Sequence, residues 1–360
     1  MLLALSGGIA MKTNIIKKYF FATFTFIFYL TLSHAAHAHH GPNDNPALYL
    51  AENLIELEGQ VSRVLWRNPH PRVMIDVDGT EWELEFGGQA NSYFTDGIDR
   101  DYFQEGDRLR AAGVVSRRDP QSIGLLHLLL PNGNELVEGR RDPRWSDEGI
   151  GRGFVAFNPS AEEVRAAEEA ADGIFRTWGR RIGGRPALDS YAGLLTEHGK
   201  EVAATFYAPR DNPELECRTG IPTFMFDPSF MDMQDAGDRI EIELSEYNIR
   251  RTIYLTEDRP EPTPASVGYS VGRWEGDTLI VDTTHIDWPY FDPYGTPMSD
   301  QMSFVETFRI ADDGSQLDYT LVATDPVMFN EPIRLGRAWA WEPGRQIEDF
   351  DCVGDWTASN

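Results

Sequence analysis

The chain has 360 residues, with 58 Asp and Glu against 32 Lys and Arg, for a net charge of −26. Hydrophobic residues make up 41% and aromatic residues 12%, enough to bury real cores, so wholesale disorder is excluded. A surface this acidic repels phosphate and gains nothing from counterion release, which excludes nucleic-acid partners. The length allows two ordinary domains beyond a targeting peptide.

Lys12, Lys17 and Lys18 precede an apolar stretch from Tyr19 to Leu32, followed by Ser33-His34-Ala35-Ala36-His37-Ala38. A charged region, a short apolar region and an A-x-A site read as a signal peptide over residues 1–38, with Met11 as an alternative start. The apolar stretch is too short to span a bilayer, which needs about 20 residues. Cleavage removes three Lys and no acid, taking the net charge from −26 to −29. No later segment reaches 18 uninterrupted apolar residues, so no membrane span is expected after cleavage. The expected location is periplasmic or secreted. Export makes Cys217 and Cys352, the only two cysteines, a candidate disulfide. Two free buried thiols or two metal ligands are the alternatives.

Residues 39–138 read as strands. Ile55–Val61 alternates with period two, and Val73–Val77 and Trp82–Phe86 flank Asp78-Gly79, a strong hairpin signal. Asp107–Val115 and Leu125–Leu130 give two more strands, with a helix-like piece near Asn91–Phe103. Five strands with one intervening helix suit a small Greek-key barrel of the OB type. Residues 139–210 read as a linker and helical connector. Ser160-Ala161-Glu162-Glu163 is a capping box, and Val164, Ala167, Ala171, Ile174 and Trp178 recur at helical spacing. A second helix is expected over Thr196–Tyr207. Residues 211–360 return to strands: Ile240–Leu244 alternates, and hairpins join Tyr269–Trp274 to Thr278–Thr284, Phe304–Ile310 to Gln316–Ala323 and Leu335–Trp341 to Gln346–Cys352, predicting an antiparallel meander that closes into a barrel or sandwich. The fold class is therefore mainly β: two β domains with a short helical connector.

His39-His40-Gly41 and Leu65-Trp66-Arg67-Asn68-Pro69-His70 resemble a family of secreted bacterial domains of unknown function. Its members begin with two His, carry a W-x-N-P-H motif and are similar to small OB-like barrels. The second half resembles an equally uncharacterised extracytoplasmic family. The matching residues are Ser270–Leu279, containing G-R-W-E-G-D-T-L, then Val281–Ile286, Asp325-Pro326 and Asp351-Cys352. Many relatives have His-Ser-Glu or Gln-Ser-Glu where this chain has Met298-Ser299-Asp300. Neither resemblance implies an activity.

Three candidate sites follow. The first is copper. Cleavage after Ala38 makes His39 residue one, whose amine and ring nitrogen chelate together, with His40 or His70 adding an imidazole; such nitrogen sets suit Cu(II). The alternative is an incidental His-rich terminus. The second is an acid–base pair of His285 and Asp287, which share a face if the strand continues, joined by Asp300 and Glu306. The alternative is solvated acids on strand ends. The third is an aromatic pocket for a small molecule from Trp274, Trp288, Tyr290, Phe291 and Tyr294, against core packing. The function classes are accordingly a small-molecule-binding protein with its pocket in the C-terminal domain, an enzyme on a small exported substrate, and a copper-binding protein.

Overall fold

The structure is a computed structural model that describes residues 48–352, apart from 91–92, 94–97, 140, 148, 151–158, 181–190, 192, 227–229 and 348. These described residues fall in one compact unit. The expected signal peptide, with His39 and His40, lies outside the described residues.

Seven strands build the first sheet: β1 (Tyr49–Leu65), β2 (Arg72–Val77), β3 (Thr80–Glu85), β4 (Arg108–Ser116), β5 (Ser122–Leu129), β6 (Glu135–Val137) and β7 (Gly149–Ile150). Asp78 and Gly79 join β2 to β3 with φ of 52° and 84°, the left-handed pair that a tight two-residue hairpin requires. β1 pairs with β2 and β4, β4 pairs with β5, and β3 pairs with β5 in parallel. That last pairing closes β1-β2-β3-β5-β4 into a ring of five paired strands, a small barrel. Its core holds Val73, Ile75, Leu84, Phe86, Leu109 and Leu125, the apolar halves of alternating strands. Trp66 packs edge-on against Phe86 and Tyr93 at 5.3 and 5.8 Å.

Nine strands form a second, closed barrel. They are β8 (Thr177–Arg180), β9 (Phe230–Asp235), β10 (Arg239–Leu244), β11 (Arg250–Tyr254), β12 (Tyr269–Glu275), β13 (Thr278–Thr284), β14 (Ser303–Ile310), β15 (Gln316–Thr324) and β16 (Ile333–Trp341). Their order is β10-β11-β12-β13-β14-β15-β16-β8-β9. β8 comes from the stretch read as connector. The capping box at Ser160 and Glu163 is present, but the helix stops at Ala170 and buries none of its residues. Ile174 and Trp178, read as its last apolar turn, belong to the barrel core instead. The helical spacing was a coincidence between a surface helix and a buried strand. The second helix is shorter than expected, Glu197–Ala203, capped by Thr196. The meander is also not wholly antiparallel, because β11 and β12 run parallel. Residues Gln346–Cys352, read as a last strand, form an extended tail with a single bridge, between Cys352 and Asn68.

Cys217 and Cys352 are bonded, which removes both alternatives for the pair. A small cluster of Leu48, Tyr49, Val114 and Leu126 from the first sheet packs with Ala208.

Candidate functional site

Both barrels bury charge, in different settings. In the first barrel, strand alternation turns Leu84 into the core and Glu83 and Glu85 to the opposite face. There they meet residues from the two flanking loops. Nδ1 of His70, in the β1–β2 loop, lies 3.5 Å from Glu85 Oε1. Arg118, in the β4–β5 loop, donates from Nη2 to Glu85 Oε2 at 2.8 Å. Arg72 stands 3.8 Å from Glu83, which accepts from Ser122 Oγ at 3.0 Å. Tyr49 lies against Glu85.

His70 is only 4% exposed, and the group is strongly coupled. Burial pushes the Glu85 carboxyl up, but Arg118, then His70 and Arg72, outweigh it and hold it below its ordinary value. Glu83 goes the other way, raised by burial and then by the Glu85 charge. Burial and then Glu85 push the Tyr49 phenol well above its usual value. Burial lowers and Glu85 more than restores the Arg118 guanidinium. Perturbed neighbouring groups of this kind occur both at functional sites and in structural ion-pair networks. The Glu85 carboxylate stands on the Nδ1 side of the imidazole, the side from which carboxylates orient metal-binding His. Among the described residues, no group of three or more His, Cys, Asp and Glu is placed to hold a metal.

In the second barrel the charge lies in the lumen. Arg251 and Glu306 are both fully enclosed and pair through both guanidinium Nη atoms, at 2.9 and 2.5 Å. Thr283 Oγ1 and Tyr319 Oη each donate to Glu306 at 2.7 Å. Arg251 Nε and Nη2 reach Ser270 Oγ at 3.1 and 2.9 Å, and Nη2 reaches Thr283 at 2.8 Å. Five consecutive strands, β11 to β15, thus contribute one polar side chain each. Glu306 accepts four hydrogen bonds, the full capacity of a carboxylate. Burial lowers the Arg251 guanidinium, and Glu306 outweighs it, so the charge stays on.

The expected acid–base set does not assemble around Glu306. Strand β13 ends at Thr284, and His285 takes a left-handed φ of 52°. That turn breaks the alternation on which a shared face with Asp287 depended. Both side chains are exposed. His285 Nδ1 meets Thr284 Oγ1 at 2.9 Å, and among the described residues no hydrogen bond or ion pair joins it to Asp287. Asp300 is exposed, whereas Glu306 faces the lumen, because residues 304, 306 and 308 form the inward row of β14.

The aromatic set divides too. Trp274 is exposed next to the β12–β13 turn, edge-on to Phe175 at 6.3 Å. Trp288 to Tyr294 follow the far end of β13, a strand length of roughly 20 Å away, so the five rings do not line one pocket. Trp288 is buried against Gly220, where an added Cβ would come within 2.3 Å of the indole. Phe291 is core, 5.2 Å from Tyr191 and 5.9 Å from Phe329. Tyr290 packs on Phe206 at 5.0 Å, and Tyr294 is half-buried. The loop is shaped by Asp292, which accepts from Tyr191 Oη and from the Tyr294 amide at 2.9 and 2.8 Å. Ser299 and Asp325, within the resembling motifs, make a second staple. The carboxylate takes the Ser299 amide and hydroxyl at 2.7 and 2.8 Å and the amides of Val327 and Met328.

Sequence reasoning missed Arg251, Ser270, Thr283 and Tyr319, and Glu85, Arg118 and Tyr49. The available signal was a lone charged residue in an apolar alternating row, as in Phe304-x-Glu306-x-Phe308. Arg118 and Tyr49 carried no such mark.

A model for a family of unknown function, DUF6152, matches residues 28–125, which takes in β1 to β4 and the first half of β5. No curated protein matches the chain.

Proposed function

We propose that this chain is an exported copper-binding protein whose metal site is the His70 face of the first barrel. One observation carries the reading. Tyr49, ten residues after His39, is buried against Glu85, the carboxylate beside His70. The start of β1 is therefore held beside the imidazole that the N-terminal histidines would have to reach. Ten residues of chain span up to about 35 Å, so length places no obstacle between His39 or His40 and His70. An N-terminal amine with its own imidazole, plus the His70 ring, makes a nitrogen set suited to Cu(II). Glu85 would orient the ring from Nδ1. Export is supported by the targeting pattern of residues 1–38 and by the Cys217–Cys352 bond, which persists in oxidising compartments.

The test is a Cu(II) titration of protein whose first residue is His39. We expect a Kd of about micromolar or tighter, weakened at least tenfold by His70→Ala. A Kd no tighter than about millimolar ends the reading.

A second reading, a small-molecule site in the second barrel, is favoured by its strand number. Eight strands leave a lumen that side chains fill or that holds one small ligand, and this barrel has nine. A ligand there would meet an apolar wall interrupted by the Arg251–Glu306 pair. A thermal-shift screen of apolar metabolites tests it: one ligand raising the melting temperature supports the site, and none across the panel dismisses it.

A further inference from the structure

The His70 loop is held by a segment from the far end of the chain. The Asn68 amide donates to the Asp351 carbonyl at 3.0 Å, and Asn68 pairs with Cys352 as an isolated bridge. On its other side Asn68 Oδ1 accepts the Ala90 amide at 3.0 Å. Asn68 is buried, and only Pro69 separates it from His70. In the tail segment 349–352, Phe350 is itself buried. Phe350 exchanges two hydrogen bonds with Asn248, at 2.8 and 3.2 Å, and packs on Tyr247 at 5.1 Å. Beyond these, the covalent link from Cys352 to Cys217 fixes it. Cys217 is placed by the turn Pro213–Glu216, whose N-cap Asn212 accepts the Glu214 amide.

We propose that this disulfide-held tail is the positioning element of the His70 loop, so that reducing Cys217–Cys352 loosens the loop and weakens its metal affinity. The metal part of this inference rests on the copper reading above; the clamp does not. The reaction is an ordinary exchange with a dithiol. The S–S bond breaks, the dithiol supplies two electrons and two protons, two thiols form, and the reductant closes to its own disulfide. The site would then be at full affinity in an oxidising compartment and weakened where dithiols are supplied.

Two measurements on the signal-cleaved full chain test this. Hydrogen exchange is followed at the Asn68 amide, whose acceptor is the tail carbonyl, before and after dithiothreitol. Cu(II) affinity is compared between the oxidised protein and the reductant-free C217S/C352S variant, since dithiothreitol itself binds copper. The amides of Val73 to Ile75 serve as the control for global opening. We expect Asn68 exchange to accelerate at least about tenfold with the control amides unchanged, and the copper Kd to weaken at least about fivefold. Unchanged Asn68 exchange overturns the clamp. Equal acceleration of the control amides overturns it too, because the bond would then only stabilise the whole fold. Faster Asn68 exchange with an unaltered Kd overturns the positioning role. Faster exchange in a protein that binds no copper in either form supports the clamp and overturns the copper reading alone.

Discussion

The first barrel places a cluster of buried charges on an outer face between two loops; the second encloses the Arg251–Glu306 ion pair in its lumen. In the second, Arg251 and Glu306 satisfy each other, and Ser270, Thr283 and Tyr319 fill the remaining positions. Such a network has the acceptor capacity of its carboxylate filled by its own partners and acts on stability and register. In the first, two carboxylates, two guanidiniums and an imidazole share a face formed by strand ends and loops, where function concentrates. Burial alone therefore does not separate a site from a core. Saturation and position do.

The contrast breaks most sharply at Glu306. Replacing it with Ala leaves the Arg251 guanidinium enclosed without its counter-charge, at an expected loss of about 3–5 kcal/mol in urea unfolding. The double variant R251M/E306L should lose much less, because an apolar pair needs no compensation. A single variant as stable as the parent would mean that the pair is not enclosed.

The first barrel is where pH should act. Burial pushes the Glu138 carboxyl up to about 7, against the lowering effect of the Tyr93 hydroxyl, which donates to it at 2.5 Å. The unfolded chain releases this proton first as pH rises from its ordinary 4.5, so the folded state loses stability between there and about 7. The span corresponds to roughly 3 kcal/mol. Glu138→Gln should therefore stabilise the protein by up to that amount at pH 8 and by little at pH 4. An equal effect at both pH values contradicts the assignment.

The next effect is on the metal. Glu85→Gln, measured where the protein remains folded, should weaken Cu(II) binding about 10- to 100-fold, as for other groups that orient a ligand from behind. An unaltered Kd would detach Glu85 from the site. The smallest effect concerns His285. Its left-handed backbone favours glycine, so His285→Gly should leave stability equal or raise it by up to about 1 kcal/mol, with copper binding unchanged. A loss above about 2 kcal/mol would mean that the imidazole supports the barrel end after all.

Strands were legible wherever alternation was clean: β13 spans Thr278–Thr284 as read, and β10, β14 and β15 differ by a residue or two. The Asp78-Gly79 hairpin and the disulfide were also legible, since turn chemistry and compartment are local or compositional facts. Strand β8 was not, because Ile174 and Trp178 continued a helical spacing by chance. Of the sites, His70 stood out as an imidazole between prolines, but its partners did not. Glu85 looked like any solvent-facing strand acid, and only the approach of the Arg118 loop makes it buried. Glu306 was noticed for the wrong neighbours: the turn at His285 ends β13 and leaves His285 and Asp287 exposed, away from the enclosed carboxylate.

The claim that His70 binds the metal is tested most directly by electron paramagnetic resonance of the Cu(II)-loaded, signal-cleaved protein beside its His70→Ala variant. The account predicts that the variant loses one imidazole nitrogen coupling while the folded protein retains its terminal ligands. Superimposable spectra would show that copper sits at the terminus without His70, and would contradict it.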